Sequence, residues 1–310
     1  MEIIRLTYPF AESLHSSLQT LAIGFFDGVH TGHQEVLQRA KSLARREGHL
    51  ASVMTFDPHP REVLGDAKIS RYITPLQEKL KQFSAVGMDR CYLLTFNQAL
   101  SKLSPEQFVS SVLFPLQVDT VVVGFNFTFG HLGRGNIDTL REYGGDRMKV
   151  QVIRPYLKEG IKVSSTLIRE MIHQGSVERV RELLGRPYRL TGKVVHGLGR
   201  GTTIGIPTAN IEPDERFVIP GKGVYAVRVA VNDEWFNGVI NVGVKPTFKD
   251  DPPGQTLEVH LFDFNRMIYD QQVKIDFIQF LREEQRFTSV DQLIAQIKDD
   301  IRNAKEILKA

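Results

Sequence analysis

Cysteine is nearly missing: Cys91 is the single one in 310 residues, so neither an intrachain disulfide nor a cysteine-based zinc site can form. It lies inside the apolar run Cys91-Tyr92-Leu93-Leu94 and reads as a buried structural thiol. No apolar stretch approaches the ~18 residues needed to span a bilayer. Met1-Glu2-Ile3-Ile4-Arg5 also lacks the charged-then-apolar pattern of a signal peptide. These absences point to the cytoplasm and away from a membrane. An excess of one charge is lacking too: 39 Lys and Arg stand against 36 Asp and Glu, a formal net charge of +3, with the cations spread rather than gathered. Nucleic acid is therefore not an expected partner. No internal repeat is found, and the oligomeric state stays open, a homo-oligomer included.

What is present is an ordinary folded composition, 42% hydrophobic and 24% charged. The length exceeds what one core usually organises, so two domains are expected. In the first half, Leu21 to Phe26, Ala51 to Phe56, Cys91 to Phe96, Thr120 to Phe127 and Lys149 to Tyr156 read as strands with helical patterns between them. Val36, Leu37, Ala40, Leu43 and Ala44 recur at helical spacing, and Gly48 supplies a C-cap. This alternation predicts a parallel sheet with covered faces. Two short helices follow, Leu167 to His173 and Val177 to Leu184, the second with Ser176 as cap, before Gly185-Arg186-Pro187 ends helix formation. The boundary is expected there, giving domains 1–185 and 186–310. Beyond it, Tyr188 to His196, Val224 to Val231, Phe236 to Val242, Leu257 to Phe264 and Gln272 to Phe280 are separated by turn residues and predict a small antiparallel barrel. A last helix, Val290 to Leu308, carries the apolar stripe Val290, Leu293, Ile294, Ile297, Ile301, Ala304 and Leu308, expected to pack on that barrel.

Gly24-Phe25-Phe26-Asp27-Gly28-Val29-His30-Thr31-Gly32-His33 falls where the first predicted strand gives way to the first helix. A helix N-terminus there offers unpaired N–H groups and a partial positive charge, worth ~0.3–1 kcal/mol per neighbouring anion. Gly28 and Gly32 let a phosphate approach the backbone. His30 and His33 can donate to a triphosphate as charge builds on the leaving pyrophosphate. The competing readings are two loop histidines at a helix start, or a metal pair. Metal is disfavoured, because the spacing is not His-x-x-x-His and no cysteine is near. The string resembles the His-x-Gly-His signature of the nucleotidyltransferase superfamily. Three later strings match the FAD synthetase family in order: Thr55-Phe56-Asp57-Pro58-His59-Pro60, Gly124-Phe125-Asn126-Phe127-Thr128-Phe129-Gly130 and Ser164-Ser165-Thr166-Leu167-Ile168-Arg169. The resemblance implies that Gly24, Phe26, Asp27, Gly28 and Gly32 hold nucleotide and phosphate beside His30 and His33. It further implies Asp57 and Asn126 near the flavin phosphate or nucleotide, and Ser165, Thr166 and Arg169 closing over the ATP phosphates. Taken alone, Ser164-Ser165-Thr166 reads as an N-cap and Arg169 as a solvated helix residue. Many relatives carry Asp where Asn126 stands.

The second half opens with Gly197-Leu198-Gly199-Arg200-Gly201-Thr202-Thr203-Ile204-Gly205-Ile206-Pro207-Thr208-Ala209-Asn210. It is not a Walker A loop, which needs Lys-Ser or Lys-Thr after the glycines, nor Gly-x-Gly-x-x-Gly. Closely spaced glycines make a backbone nest for phosphate, and Thr208 and Asn210 offer neutral oxygens of the sort that hold a nucleotide-bound Mg²⁺. A Gly-rich barrel turn is an equal alternative. The string resembles the riboflavin kinase signature Gly-Arg-Gly-x-x-x-Gly-x-Pro-Thr-Ala-Asn. The match continues through Pro220-Gly221-Lys222-Gly223-Val224-Tyr225-Ala226, Asn241-Val242-Gly243 and Leu257-Glu258-Val259-His260-Leu261-Phe262-Asp263-Phe264. It implies Gly197, Gly199, Gly201 and Gly205 around the nucleotide, Thr208 and Asn210 on Mg²⁺, and Glu258 as general base for the riboflavin 5′-hydroxyl. It also implies Arg282 and Phe287 closing on flavin. By strand alternation Glu258 points away from Leu257, Val259 and Leu261, and an exposed strand Glu usually does nothing. Two departures stand out: Lys245-Pro246-Thr247, where relatives commonly have an Arg that Lys cannot replace in a bidentate contact, and Tyr269-Asp270, where Gly often follows the Tyr.

The whole chain thus resembles the bacterial bifunctional riboflavin kinase/FAD synthetases. The resemblance implies an α/β protein: a Rossmann-like nucleotidyltransferase domain making FAD and pyrophosphate from FMN and ATP, then a small antiparallel β-barrel kinase domain with a terminal helix, making FMN and ADP from riboflavin and ATP. Both reactions would need Mg²⁺. Two other readings stay open: FAD synthesis alone, with the kinase half as scaffold, and a flavin-binding regulator that has lost catalysis. Intact Thr208, Asn210 and Glu258 speak against the first, and the lack of an added basic stretch against the second.

Overall fold

A computed structural model describes residues 1–10, 17–63, 65, 71–197, 201, 205–244 and 255–309. By its internal contacts the chain divides into two compact units, Met1–Ser165 and Thr166–Ala310.

The first unit runs β1 (Glu2–Thr7), β2 (Gln19–Ile23), α1 (Thr31–Glu47), β3 (Leu50–Asp57), α2 (Pro60–Val63), α3 (Leu76–Val86), β4 (Arg90–Thr95), α4 (Gln98–Ser101), α5 (Pro105–Phe108), β5 (Val118–Gly124), α6 (Ile137–Gly144), β6 (Lys149–Ile153) and a hairpin of β7 (Leu157–Lys158) with β8 (Ile161–Lys162). Its sheet has the order β1-β4-β3-β2-β5-β6, and every neighbouring pair is parallel. Alternate residues feed two cores, as a sheet covered on both faces requires. Leu21, Ile23, Met54, Tyr92 and Leu94 face one, and Ala22, Val53, Cys91 and Val122 the other. On the second face α1 lays Val36, Leu37, Ala40, Leu43 and Ala44, the predicted stripe, and ends at Gly48 with φ 70. Edge strand β1 was not predicted; only Leu6 in it is fully buried, so its sequence carries almost no pattern. Four of the five strands expected in this unit overrun the real ones at their C-terminal ends, where an aromatic residue closes the expected segment, whereas β3 runs one residue past the expected Phe56, to Asp57. Phe26, for example, turns back into the core at φ 56. Since β3 and β4 lie to one side of β2, and β5 to the other, the crevice above β2 and β5 is the switch point where open α/β sheets take ligands.

The second unit takes α7 (Ser165–His173) from its second residue, then α8 (Val177–Leu184), β9 (Tyr188–Val195), β10 (Ala209–Pro213), β11 (Gly223–Val231), β12 (Glu234–Val244), β13 (Gln255–Leu261), β14 (Gln272–Arg282) and α9 (Val290–Lys309). The strands close a barrel in the order β10-β13-β12-β11-β14-β9, and all pairs are antiparallel, the closing β10–β9 pair included. The compact-unit boundary precedes the expected 185/186 boundary by two helices. They belong with the barrel by packing: α8 buries Val177, Val180, Leu183 and Leu184, and Glu178 Oε1 accepts a hydrogen bond from Phe280 N of β14 at 2.9 Å. Ser176 holds the N-cap position of α8 without capping it; its ψ of 57 is not the extended one that aims a hydroxyl at the first turn. The stripe of α9 docks mainly at its C-terminal end, where Ala304 and Leu308 meet Val224, Ala226, Val239 and Phe262, while Val290 is exposed.

Candidate active sites

In the first unit the loop between β2 and α1 is held in a strained form. Phe26 and Val29 take φ of 56 and 40, beside Gly28 at 88; positive φ in a bulky or β-branched residue costs about 1–3 kcal/mol and persists only where the surroundings impose it. Those surroundings are identifiable. The Phe25 carbonyl accepts from Thr55 Oγ1 at 3.0 Å and from Lys79 Nζ at 2.8 Å. The Asp27 carboxylate, 5% exposed, accepts from the main-chain N–H of Ile73 at 3.4 Å and of Thr74 at 3.1 Å. The Asp27 carbonyl accepts from Ser165 Oγ at 2.9 Å, so the third motif meets the first. Asp27 is thus a clasp whose carboxylate faces inward. Phe26, packed edge-on against Phe83 and His33, can offer a ligand only its main chain.

His30 is the N-cap of α1: its Nδ1 accepts from His33 N at 3.2 Å, which leaves the proton of the neutral ring on Nε2. The two rings stack with centroids 3.6 Å apart. Gly32 is needed for closeness, since a Cβ there would sit 3.2 Å from Tyr156 Cβ and 3.3 Å from His30 Cε1. No acidic side chain stands in the first turn of α1, so the positive end of the helix is uncompensated there. Burial first, then His30 and the Lys79 ammonium, push the His33 ring well below its usual value of 6.5. His33 is therefore neutral at pH 7. Asp57 ends β3 and Asn126 follows β5, both at the C-terminal edge of the sheet, Asn126 exposed. Thr166 and Arg169 follow Ser165 in α7, Thr166 exposed and Arg169 half-buried, and both belong to the second unit.

Sequence reasoning missed Lys79. It sits on the buried face of α3 with Leu80 and Phe83 and is 2% exposed. The available signal was a lysine inside an apolar helical stripe.

In the second unit the strand ladders assemble the motif. Asn210 of β10 lies opposite Glu258 of β13, and Glu258 lies opposite Asn241 of β12, so the three share one face of the barrel. Leu257, Val259 and Leu261 alternate with them and are buried. A Cβ on Gly197 would overlap the Asn210 side-chain amide, and one on Gly201 would overlap the Ile206 carbonyl and lie 3.0 Å from Thr208 Oγ1. Gly197 is therefore pressed against Asn210, and Gly201 against Ile206 and Thr208. Gly205 turns at φ 75, while Gly199 and Lys245-Pro246-Thr247 lie outside the described residues. His260, another residue not singled out from sequence, donates from Nδ1 to the Pro207 carbonyl at 2.8 Å and so fixes the segment carrying Thr208. Asp270 takes φ 64, a conformation Asp tolerates better than most residues. Arg282 is committed to Asp300 of α9 and lies 5.9 Å from the Phe287 ring centre.

The chain matches the FAD synthetase family model over residues 13–167 and the riboflavin kinase model over residues 184–308. A bifunctional riboflavin kinase/FMN adenylyltransferase from Listeria monocytogenes is 41% identical over 302 residues, covering 97% of this chain and 96% of its own. Its namesake from Bacillus subtilis is 39% identical, covering 98% and 97%, and that from Escherichia coli K12 is 37% identical, covering 92% and 91%. Among solved structures, a Streptococcus pneumoniae protein described as a macrolide-efflux protein aligns with a TM-score of 0.90 at 32% identity, over 97% of this chain and 99% of its own. That description is of the other protein. Among the described residues here, no helix is long and apolar enough to cross a membrane.

Proposed function

The chain belongs to the bifunctional riboflavin kinase/FMN adenylyltransferase family, and from that premise we propose which residues perform its two reactions. It phosphorylates riboflavin with ATP to give FMN, and it adenylylates FMN with ATP to give FAD and pyrophosphate.

For adenylyl transfer, a phosphate oxygen of FMN attacks the α-phosphorus of ATP and the bond to pyrophosphate breaks. The N-terminus of α1 and the Nε2–H of His30 face the charge that accumulates on the leaving group, with the neutral His33 stacked beside it. Gly24, Gly28 and Gly32 keep the backbone close, Asp57 and Asn126 border the crevice on the flavin side, and Ser165, Thr166 and Arg169 act on the ATP phosphates.

For phosphoryl transfer, Glu258 takes the proton of the riboflavin 5′-hydroxyl as its oxygen bonds to the γ-phosphorus and ADP leaves. Thr208 and Asn210 would hold Mg²⁺. Their hydroxyl and amide oxygens, close to Gly201 and Gly197, suit a hard cation that takes its other ligands from water and substrate phosphates. Such an ion would draw charge off the transferring phosphoryl group. Phe287 borders the flavin, and Arg282 holds that segment to α9. The reading puts both reactions in the cytoplasm.

The observation that carries this division is the meeting of Gly197 and Gly201 with Asn210 and Thr208, and of Asn210 with Glu258 across the ladder. Incubation with riboflavin, ATP and Mg²⁺, followed by chromatographic separation of FMN and FAD, tests it. Both products are expected. FAD only when FMN is supplied would reduce the barrel to a scaffold, and flavin binding without turnover would make the protein a regulator.

A further inference from the structure

The loop that carries His30 rests on a buried cation that none of the motifs contains. Lys79 Nζ donates to the Phe25 carbonyl at 2.8 Å and stands 3.7 Å from the centre of the Phe25 ring, on a side chain only 2% exposed. Charged and titratable groups act on it from each element around it: Asp27 from the loop, Asp57 from the end of β3 and Cys91 from β4, while His33 of α1 feels its charge in turn. Burial lowers the Lys79 ammonium to about 8, against the opposing pull of Asp27, Asp57 and Cys91. An apolar side chain would fill the same space without the desolvation cost of an ammonium. The charge is thus the feature that needs a use: it meets the carbonyl and the ring of Phe25 in the strained loop, and its field reaches His33 in the first turn of α1.

We propose that Lys79 is a positioning residue for adenylyl transfer, fixing the loop from Gly24 to His30 through the Phe25 carbonyl and presenting its charge to the stacked histidine pair from the protein interior. This rests on the assignment of His30 and His33 to that reaction. Two consequences follow: the loop keeps one conformation when phosphates bind, and His33 stays uncharged, because the ammonium opposes a second positive charge nearby.

The test uses the full chain, with FAD formation from FMN and ATP followed across pH and FMN formation from riboflavin as control. Lys79→Met should lower kcat for FAD formation by about tenfold or more with little change in the KM for ATP. It should also move the acid limb of the profile to higher pH, since His33 then takes up a proton more readily. Lys79→Arg, keeping the charge, should restore the acid limb. In the unaltered protein the His33 ring resonances should shift in step with the loss of the Lys79 proton, itself followed at the Lys79 side chain and expected below the usual lysine range, a measurement that stands even if the variants fold poorly. A Lys79→Met enzyme with the parent kcat and acid limb, or a His33 ring that does not respond when Lys79 titrates, overturns the inference. His33→Ala separates the two layers. If that variant still makes FAD, the histidine assignment has failed; if it is inactive while Lys79→Met behaves as the parent, the role of Lys79 alone has failed.

Discussion

Arg282 and Asp300 form a bidentate pair, Nε to Oδ1 at 2.9 Å and Nη2 to Oδ2 at 2.8 Å, on a carboxylate that is 3% exposed. The pair ties the end of β14 to α9, and Gln296 adds a bond to the same carboxylate at 3.0 Å. Removing one partner leaves the other charged and buried, which typically costs about 3–5 kcal/mol. Asp300→Ala and Arg282→Met should each lower stability in urea by roughly that amount, whereas Arg282→Met combined with Asp300→Leu should cost less than either alone. A direct flavin contact by Arg282 would show instead as a raised riboflavin KM at unchanged stability.

His30→Ala with His33→Ala should abolish FAD formation while FMN formation persists, because the pair belongs to the first unit only. Loss of both activities at an unchanged melting temperature would contradict the assignment. The pH dependence has a definite sign. His33 binds its proton less readily in the fold than at its usual 6.5, so as pH falls through that value the unfolded chain gains a proton that the fold refuses. Stability should fall there by at most about 1.4 kcal/mol per pH unit from this group, and His33→Gln should remove that share. Urea midpoints of parent and variant on either side of pH 6.5 measure it.

Glu258→Gln keeps the shape of the side chain but cannot accept the hydroxyl proton. Riboflavin phosphorylation should drop by ~10²–10⁴ while adenylylation of added FMN is untouched. Riboflavin affinity should hold. Phosphorylation within a few-fold of the parent would remove Glu258 from the mechanism.

A fragment beginning at Thr166 should fold and phosphorylate riboflavin. One beginning at Arg186 keeps the barrel but uncovers the surface under Val177, Val180, Leu183 and Leu184. At about 1.5–3 kcal/mol per buried side chain, that loss approaches the roughly 5–15 kcal/mol that holds a domain together. Comparing the urea midpoints and kinase activity of the two fragments places the boundary, and equal stability would return it to 185/186.

The alternation of elements was legible from the residues alone, since strands buried on both faces read as apolar runs and the α1 stripe is local in the chain. The sequence also carried the strings that build both sites, because turns, caps and glycine nests are written in adjacent residues. Which polar side chains are interior emerges from the packing of distant segments. Asp300 stands next to Asp299 on the last helix, outside its apolar stripe, and it is buried on Arg282. Asp27, which the family resemblance implies beside the nucleotide, has a buried carboxylate that accepts from the main-chain N–H groups of Ile73 and Thr74, a contact 46 and 47 residues away that no local pattern shows. Lys79 belongs to none of the sequence motifs, yet it lies buried with its ammonium on the Phe25 carbonyl. The same holds for α7 and α8, whose apolar stripes would suit either unit and are claimed by the barrel. Local pattern specifies which backbone form a segment takes; whether a charge is hidden depends on which distant surface closes over it, and that is a property of the assembled fold alone.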